Sequence, residues 1–303
     1  MTRQPPLRLA VAGALTIAWS AVLVKAADVS PSTAAIFRCV YALPLLAWLA
    51  WREDRKLGPR EARSRRLAWG AGVFFAADLI FWHHSIEDVG AGLATVLGNL
   101  QVAMVPLIAW AILKEHPSAR VLATLPIVLA GVVMVSGVLE DGAFGPDPAR
   151  GTIFGVATAA TYAGFILLLR AAGADLRRPA GPLFDATASA AVAAIAAGLI
   201  VGDADLVPSW PAHGWLVLLG LSSQVLGWML ISTSLPRLPA ARTSVILTVQ
   251  PVGSMILAAI FFSEAPSVIQ IAGCAAILTG LVAVSMRPRA APVAVAGRTT
   301  MGP

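Results

Sequence analysis

Residues 91–118, AGLATVLGNLQVAMVPLIAWAILKEHPS, return in outline at residues 240–267, AARTSVILTVQPVGSMILAAIFFSEAPS. At a shift of 149, Ala91, Val96, Gln101, Ala109, Glu115, Pro117 and Ser118 match Ala240, Val245, Gln250, Ala258, Glu264, Pro266 and Ser267. The match runs on through Leu129, Gly131, Val133, Val135 and Ser136 onto Leu278, Gly280, Val282, Val284 and Ser285. Small and aliphatic residues coincide easily in so apolar a chain; the Gln, the Glu and the Glu-x-Pro-Ser run carry the repeat.

Each copy lies in apolar runs of about 20 residues, the length a helix needs to cross a hydrocarbon core of roughly 30 Å. Ten such runs follow one another: Leu7–Val24, Thr33–Trp51, Leu67–Ser85, Val89–Leu113, Val121–Leu139, Gly151–Leu169, Leu183–Val201, Trp215–Leu235, Thr243–Phe262 and Val268–Met286. A composition with 58% hydrophobic and 13% charged residues, and a mean hydropathy of +0.79, excludes an ordinary soluble domain, which carries about 25% charge. The expected fold is an all-α polytopic membrane protein with ten transmembrane helices arranged as two inverted five-helix repeats. The repeats span residues 1–139 and 150–286, followed by a disordered cytoplasmic tail at 287–303, rich in Ala, Pro and Arg. Five is odd, so the second repeat is upside down relative to the first, and Glu115 and Glu264 face opposite sides. Such repeats belong to secondary transporters that alternate access to a midplane site.

Charge sets the orientation. With the amino terminus in the cytoplasm, nineteen of the twenty-two Lys and Arg fall inside, because only Lys25 and Arg150 lie outside and Arg38 lies within a span. One missed span would scramble every later loop, so the positive-inside rule supports the count and places both termini in the cytoplasm of an inner (plasma) membrane. The net charge of +6 is read as insertion topology and attraction to anionic membrane lipid, with no nucleic-acid partner. Arg3 and Arg8 ahead of an apolar run ending near Ala26-Ala27 resemble a secretory leader; the run is longer than a usual leader core, and its removal would spoil the repeat. Cys39 and Cys274 sit in separate runs and read as small core residues.

The stretch Gln250-Pro251-Val252, then Ala258, Glu264, Gln270-x-x-Gly273 and Gly280, resembles the closing signature of the EamA-type family in the drug/metabolite transporter superfamily. Gln101, Glu115 and Gly131 repeat it more weakly, and Arg38 stands in the second run where that family often has an arginine. The resemblance implies a five-plus-five inverted bundle whose third, fourth, eighth and ninth helices wall a central cavity, and the movement of small metabolites, commonly amino acids. One departure matters: the seventh run has no arginine matching Arg38.

Polar groups in lipid are costly and therefore informative; a central Asp costs roughly 2.5–3.5 kcal/mol on insertion scales. Asp78 lies halfway along the third run, on a helical face with Phe74, Trp82 and Ser85. Gln224 and Trp228 repeat the i, i+4 pair in the eighth run at a shift of 146. Asp78 is either an anchor for a substrate ammonium or a proton, with Trp82 and Trp228 as cation–π walls, or a carboxyl bonded to a neighbouring helix beside packing indoles. Thr95 and Asn99 share a face in the fourth run, as Ser244 and Thr248 do in the ninth, while Gln101 and Gln250 point elsewhere, Gln101 roughly 160° from Asn99 at 100° per residue. One face lines the cavity and the other cements helices; Asn99 and Thr248 are taken as cavity residues. Arg38 either snorkels to the outer interface or presents its guanidinium to a carboxylate. If Arg38 and Asp78 both reach the cavity, a zwitterion is matched at each end. The expected substrate-binding set is Asp78, Trp82, Asn99, Gln224, Trp228, Thr248 and Arg38.

His83 and His84 precede Glu87 and Asp88 near the outer end of the third run; a third ligand at zinc spacing is missing, so they read as interfacial groups or a pH-sensitive gate. Glu115 and Glu264 read as groups that hold helix junctions. Gly151 and Gly155 form a small-xxx-small pair, and Pro44, Pro106, Pro126 and Pro251 mark kinks. No Gly-x-Ser-x-Gly elbow, His-Glu-x-x-His run or Walker A sequence is present, so nothing supplies enzyme chemistry or direct ATP drive, and no cofactor or metal is expected. No filter segment suggests a channel. The expectation is an alternating-access carrier exporting amino acids or similar small metabolites. The alternative is a proton-coupled exporter of cationic toxic compounds. The sequence leaves substrate, direction and oligomeric state open.

Overall fold

A computed structural model describes residues 6–113, 116–207, 209–234 and 249–285, and all regular structure among them is helical. Helix α1 is Pro6–Ala27, α2 Pro31–Leu57, α3 Ala62–Val89, α4 Ala91–Gly98, α5 Gln101–Leu113, α6 Ala119–Val135, α7 Pro148–Ala172 and α8 Ala180–Val201. Then α9, Ala212–Leu219, passes through a π-helical segment, Gly220–Gly227, into α10, Trp228–Ser234, and the last described helices are α11, Val249–Phe262, and α12, Val268–Ser285. Among the described residues, six stretches are long and apolar enough to cross a membrane: Leu7–Ala27, Pro31–Leu57, Ala91–Ile108, Pro148–Ala172, Ala180–Val201 and Ala212–Ser234. Ala119–Val135, Val249–Phe262 and Val268–Val284 are shorter apolar helices. Helix α3 has the length but carries Asp78, His83, His84, Glu87 and Asp88.

Local chemistry sets the ends. Ser30 caps α2, its hydroxyl accepting from Thr33 N at 3.3 Å ahead of Pro31, and Asp147 caps α7, accepting from Arg150 N at 3.0 Å ahead of Pro148. Gly90, at φ +87°, lets the chain turn sharply from α3 into α4.

Two of the expected straight helices are irregular. The fourth run breaks at Asn99-Leu100 into α4 and α5, and across the break Leu100, Val102 and Ala103 donate to carbonyls only three residues back. The Asn99 amide nitrogen donates to Thr95 O at 2.8 Å, satisfying a carbonyl near the break. The eighth run contains the π segment that carries Gln224.

Several helix pairs join the halves, and α6 with α12, α2 with α8 and α3 with α7 run head to tail. Where α6 crosses α12, Gly131 faces Gly273 and Ile277, and Gly280 faces Val128. A Cβ on Gly131 would lie 2.7 Å from Gly273 O, and one on Gly273 equally close to Gly131 O, so this crossing admits no side chain on either residue. Helix α2 runs antiparallel to α8 and is tied to it at both ends. At one, Asp203 Oδ2 accepts from Ser32 N at 3.3 Å; at the other, Glu53 accepts from Ala180 N at 2.9 Å and Gly181 N at 2.8 Å. Gly155 packs on Leu97 with no room for a side chain, the close contact expected of the glycine pair in the sixth run.

Ion pairs gather at the two ends of the bundle. Glu264 accepts from Lys25 at 2.6 Å and from the free amides of Ala91 and Gly92 at 2.9 and 3.2 Å, and Arg150 forks onto Asp88 at 2.8 and 2.5 Å. At the far end Arg60 meets Asp185 at 2.6 Å and Arg178 meets Asp54 at 3.1 Å. Glu264 therefore holds a helix junction as expected; Glu115 lies outside the described residues.

Candidate substrate-binding site

Midway along the bundle, a cavity of about 50 Å³ is lined from both halves. Helix α1 contributes Ile17 and Ser20, α2 Arg38, and α3 Phe75, Asp78, Leu79 and Trp82. Thr95, Gly98 and Asn99 come from the interrupted fourth run, Thr158 and Tyr162 from α7, Trp228 from α10 and Gln250 from α11. That volume holds a water or two, whereas pockets for small ligands run to roughly 300–1,000 Å³.

Asp78 is 6% exposed and, among the described residues, takes part in no hydrogen bond and no ion pair within 4.0 Å. A buried carboxylate is normally satisfied by the protein. This one faces the cavity instead, and the alternative of an Asp bonded to a neighbouring helix does not hold.

Arg38 does not snorkel to an interface. It is 3% exposed, and its Nε donates to Gln224 Oε1 at 3.1 Å, while Gln224 Nε2 donates to Thr187 Oγ1 at 3.1 Å. Its guanidinium lies 5.7 Å from the Phe75 ring and 5.9 Å from Trp82, within cation–π range. Thr187 is the residue that the 149 shift assigns to Arg38. The missing second arginine is therefore replaced by a hydroxyl that closes a chain back to the first.

Gln224 is fully buried and lies behind Arg38 rather than on the cavity wall. The π segment supplies the reason: it carries Gln224 towards α2 and α8, while Trp228, at the start of α10, faces inward. Around Trp228 the rings form a box. Phe75 and Phe165 stack at 4.4 Å, Trp228 meets Phe165 edge-on at 5.1 Å and Phe75 at 6.2 Å, and Tyr162 closes the side at 6.1 Å from Trp228. The Trp228 indole N–H is buried and, among the described residues, has no acceptor.

Of the expected set, Arg38, Asp78, Trp82, Asn99 and Trp228 meet at one cavity, Gln224 supports it from behind, and Thr248 lies outside the described residues. The face of α3 is rotated from the expected one. Phe75 and Leu79 line the cavity, Phe74 is exposed and Ser85 bonds Gly151 O at 2.8 Å. His83 is buried against Pro31 O at 3.0 Å and is no interfacial group; His84 sits 3.4 Å from Glu87. Sequence reasoning missed Ser20, Thr158, Tyr162 and Gln250. Tyr162, one of only two tyrosines and central in its run, was the available signal.

The model of the EamA-like transporter family matches the chain twice, over residues 5–137 and 149–286. The chain belongs to the EamA-like transporter family. As an EamA-like transporter it is a multi-pass membrane protein built on two family repeats, whose boundary between 137 and 149 falls in the loop ahead of α7. One solved crystal structure, described only as "Crystal structure of protein", superposes with a TM-score of 0.59 over 94% of this chain and 98% of its own at 16% identity, a likeness of fold alone. No curated protein matches the chain in a sequence search.

Proposed function

We propose that this EamA-like transporter is a secondary carrier that exports zwitterionic small metabolites, amino acids foremost, by alternating access in the inner membrane. The observation that carries the reading is the pair Arg38 and Asp78 on one cavity, the first anchored by Gln224 and the second without a protein partner. A substrate carboxylate meets the guanidinium, its ammonium meets Asp78, and the indoles of Trp82 and Trp228 flank the cation.

In this reading ten spans form two inverted halves with both termini cytoplasmic. Support comes from the contacts of α6 with α12: Gly131 to Ile277 becomes Gly280 to Val128 when each residue is moved by 149 positions, as a two-fold relation between antiparallel halves requires. The interrupted fourth run and the π segment place irregular backbone beside the cavity, where transporters tolerate it. In this reading the narrow cavity widens when the halves rock.

Counterflow in proteoliposomes tests the proposal. Internal unlabelled amino acid should accelerate uptake of the labelled form, with saturation. Flux that rises linearly with concentration and shows no counterflow would reject a carrier. A second reading, a proton-coupled exporter of organic cations, draws on the unpaired Asp78 beside aromatic rings. It predicts transport of cations lacking a carboxylate and flux driven by a pH gradient.

A further inference from the structure

The last turns of α2 read WLAWREDRKL over residues 48–57, with two acids and three bases side by side. The fold sorts them. Both acids turn inward: Glu53 takes the amides of Ala180 and Gly181, and Asp54 takes Arg178 at 3.1 Å and lies 3.4 Å from Arg60. The three bases stay exposed on the other side. Arg52 lies over the Trp48 ring at 4.7 Å and Arg55 over the Trp51 ring at 4.9 Å, each stacked on the indole one turn back. Among the described residues no carboxylate lies within 4.0 Å of either guanidinium. The outer stripe Leu45, Trp48, Trp51, Arg52, Arg55 thus runs from apolar through aromatic to purely cationic, the order of layers a bilayer presents from acyl chain to headgroup.

We propose that Trp48, Trp51, Arg52 and Arg55 form a binding site for the phosphate of an anionic membrane phospholipid, with an acyl chain along the exposed face of α2. Seated over an indole, each guanidinium keeps N–H donors available to fork onto phosphate oxygens, which a lysine ammonium cannot do. In the topology proposed above the lipid belongs to the cytoplasmic leaflet. The recognition itself is independent of substrate and direction, so it stands or falls separately from the carrier reading.

Native mass spectrometry of the purified full chain, incubated with phosphatidylglycerol or phosphatidylcholine, tests the site. Wild type should retain phosphatidylglycerol preferentially. At about 1 kcal/mol per basic residue near a charged surface, Arg52→Gln with Arg55→Gln should lower that retention about 25-fold and leave phosphatidylcholine unchanged. Arg52→Lys with Arg55→Lys keeps the charge and loses the stacked fork, so it should give an intermediate value and separate lost binding from misfolding. Thermal unfolding provides the second measurement: phosphatidylglycerol should raise Tm in wild type and not in the double Gln variant, and inorganic phosphate alone should do neither. Equal phosphatidylglycerol retention in wild type and the double Gln variant, or an equal Tm gain from inorganic phosphate, overturns the proposal.

Discussion

Gln224 holds Arg38 from across the chain: an amide on the π segment accepts the guanidinium Nε–H at 3.1 Å, and its own nitrogen is held by Thr187. A side chain from the second repeat thereby fixes a buried cation on the cavity wall. Gln224→Leu should release the arginine and leave a buried donor unpaired, costing about 1–3 kcal/mol of stability. Thermal unfolding should show the loss, and half-saturation for carboxylate-bearing substrates should rise with little change in maximal flux. Unaltered affinity together with reduced stability would make the bond purely structural.

Asp78 offers the opposite case. Because it takes no hydrogen bond among the described residues, Asp78→Asn should leave Tm unchanged or raise it slightly, while transport of ammonium-bearing substrates falls at least about tenfold, the equivalent of one lost charge contact. Vesicle flux across pH separates the two readings, since a proton-coupled exporter would lose its pH dependence in this variant. Wild-type flux with wild-type pH dependence would remove Asp78 from the mechanism.

Trp228 has two roles that substitution can divide. Trp228→Phe keeps a ring against Phe165 and Phe75 and removes only the unpaired N–H, so affinity should drop modestly with folding intact. Trp228→Ala opens the aromatic box and should destabilise by about 3–5 kcal/mol. Chemical unfolding of both variants beside ligand-induced Tm shifts gives the comparison; equal ligand shifts in wild type and Trp228→Phe would show that the N–H never meets substrate.

The Glu264 junction joins the loop after α11 to Lys25 and to the first amides of α4. Glu264→Gln retains most of the shape and removes the charge, weakening the Lys25 contact and both amide bonds. That end of the bundle should open more often, and a cysteine placed at Ser20 should react faster with a thiol reagent applied from that side. Unchanged labelling would mean the junction does not govern access.

Six membrane-length helices among the described residues were legible as long apolar runs with few charges, and the two family repeats were legible because Glu-x-Pro-Ser and the paired glutamines stand in both copies. Asp78, Trp82, Asn99 and Trp228, which share one cavity, are legible as polar or amphipathic groups inside apolar runs. What escaped was rotation and register. An ideal 100° step put Phe74 on the face that Phe75 occupies, and no spacing rule announces a π turn at Gly220–Gly227, so Gln224 was assigned to the cavity and not to Arg38. Gln250 was set aside by the same idealised geometry, although the cavity wall includes it.

The ties between α2 and α8 at both extremities make that pair a strut of fixed length: neither helix can slip along the other without breaking the Ser32–Asp203 bond or the Glu53 bonds to Ala180 and Gly181. In the carrier reading, opening therefore swings other helices around this strut, and cross-links that lock α2 to α8 should leave turnover intact.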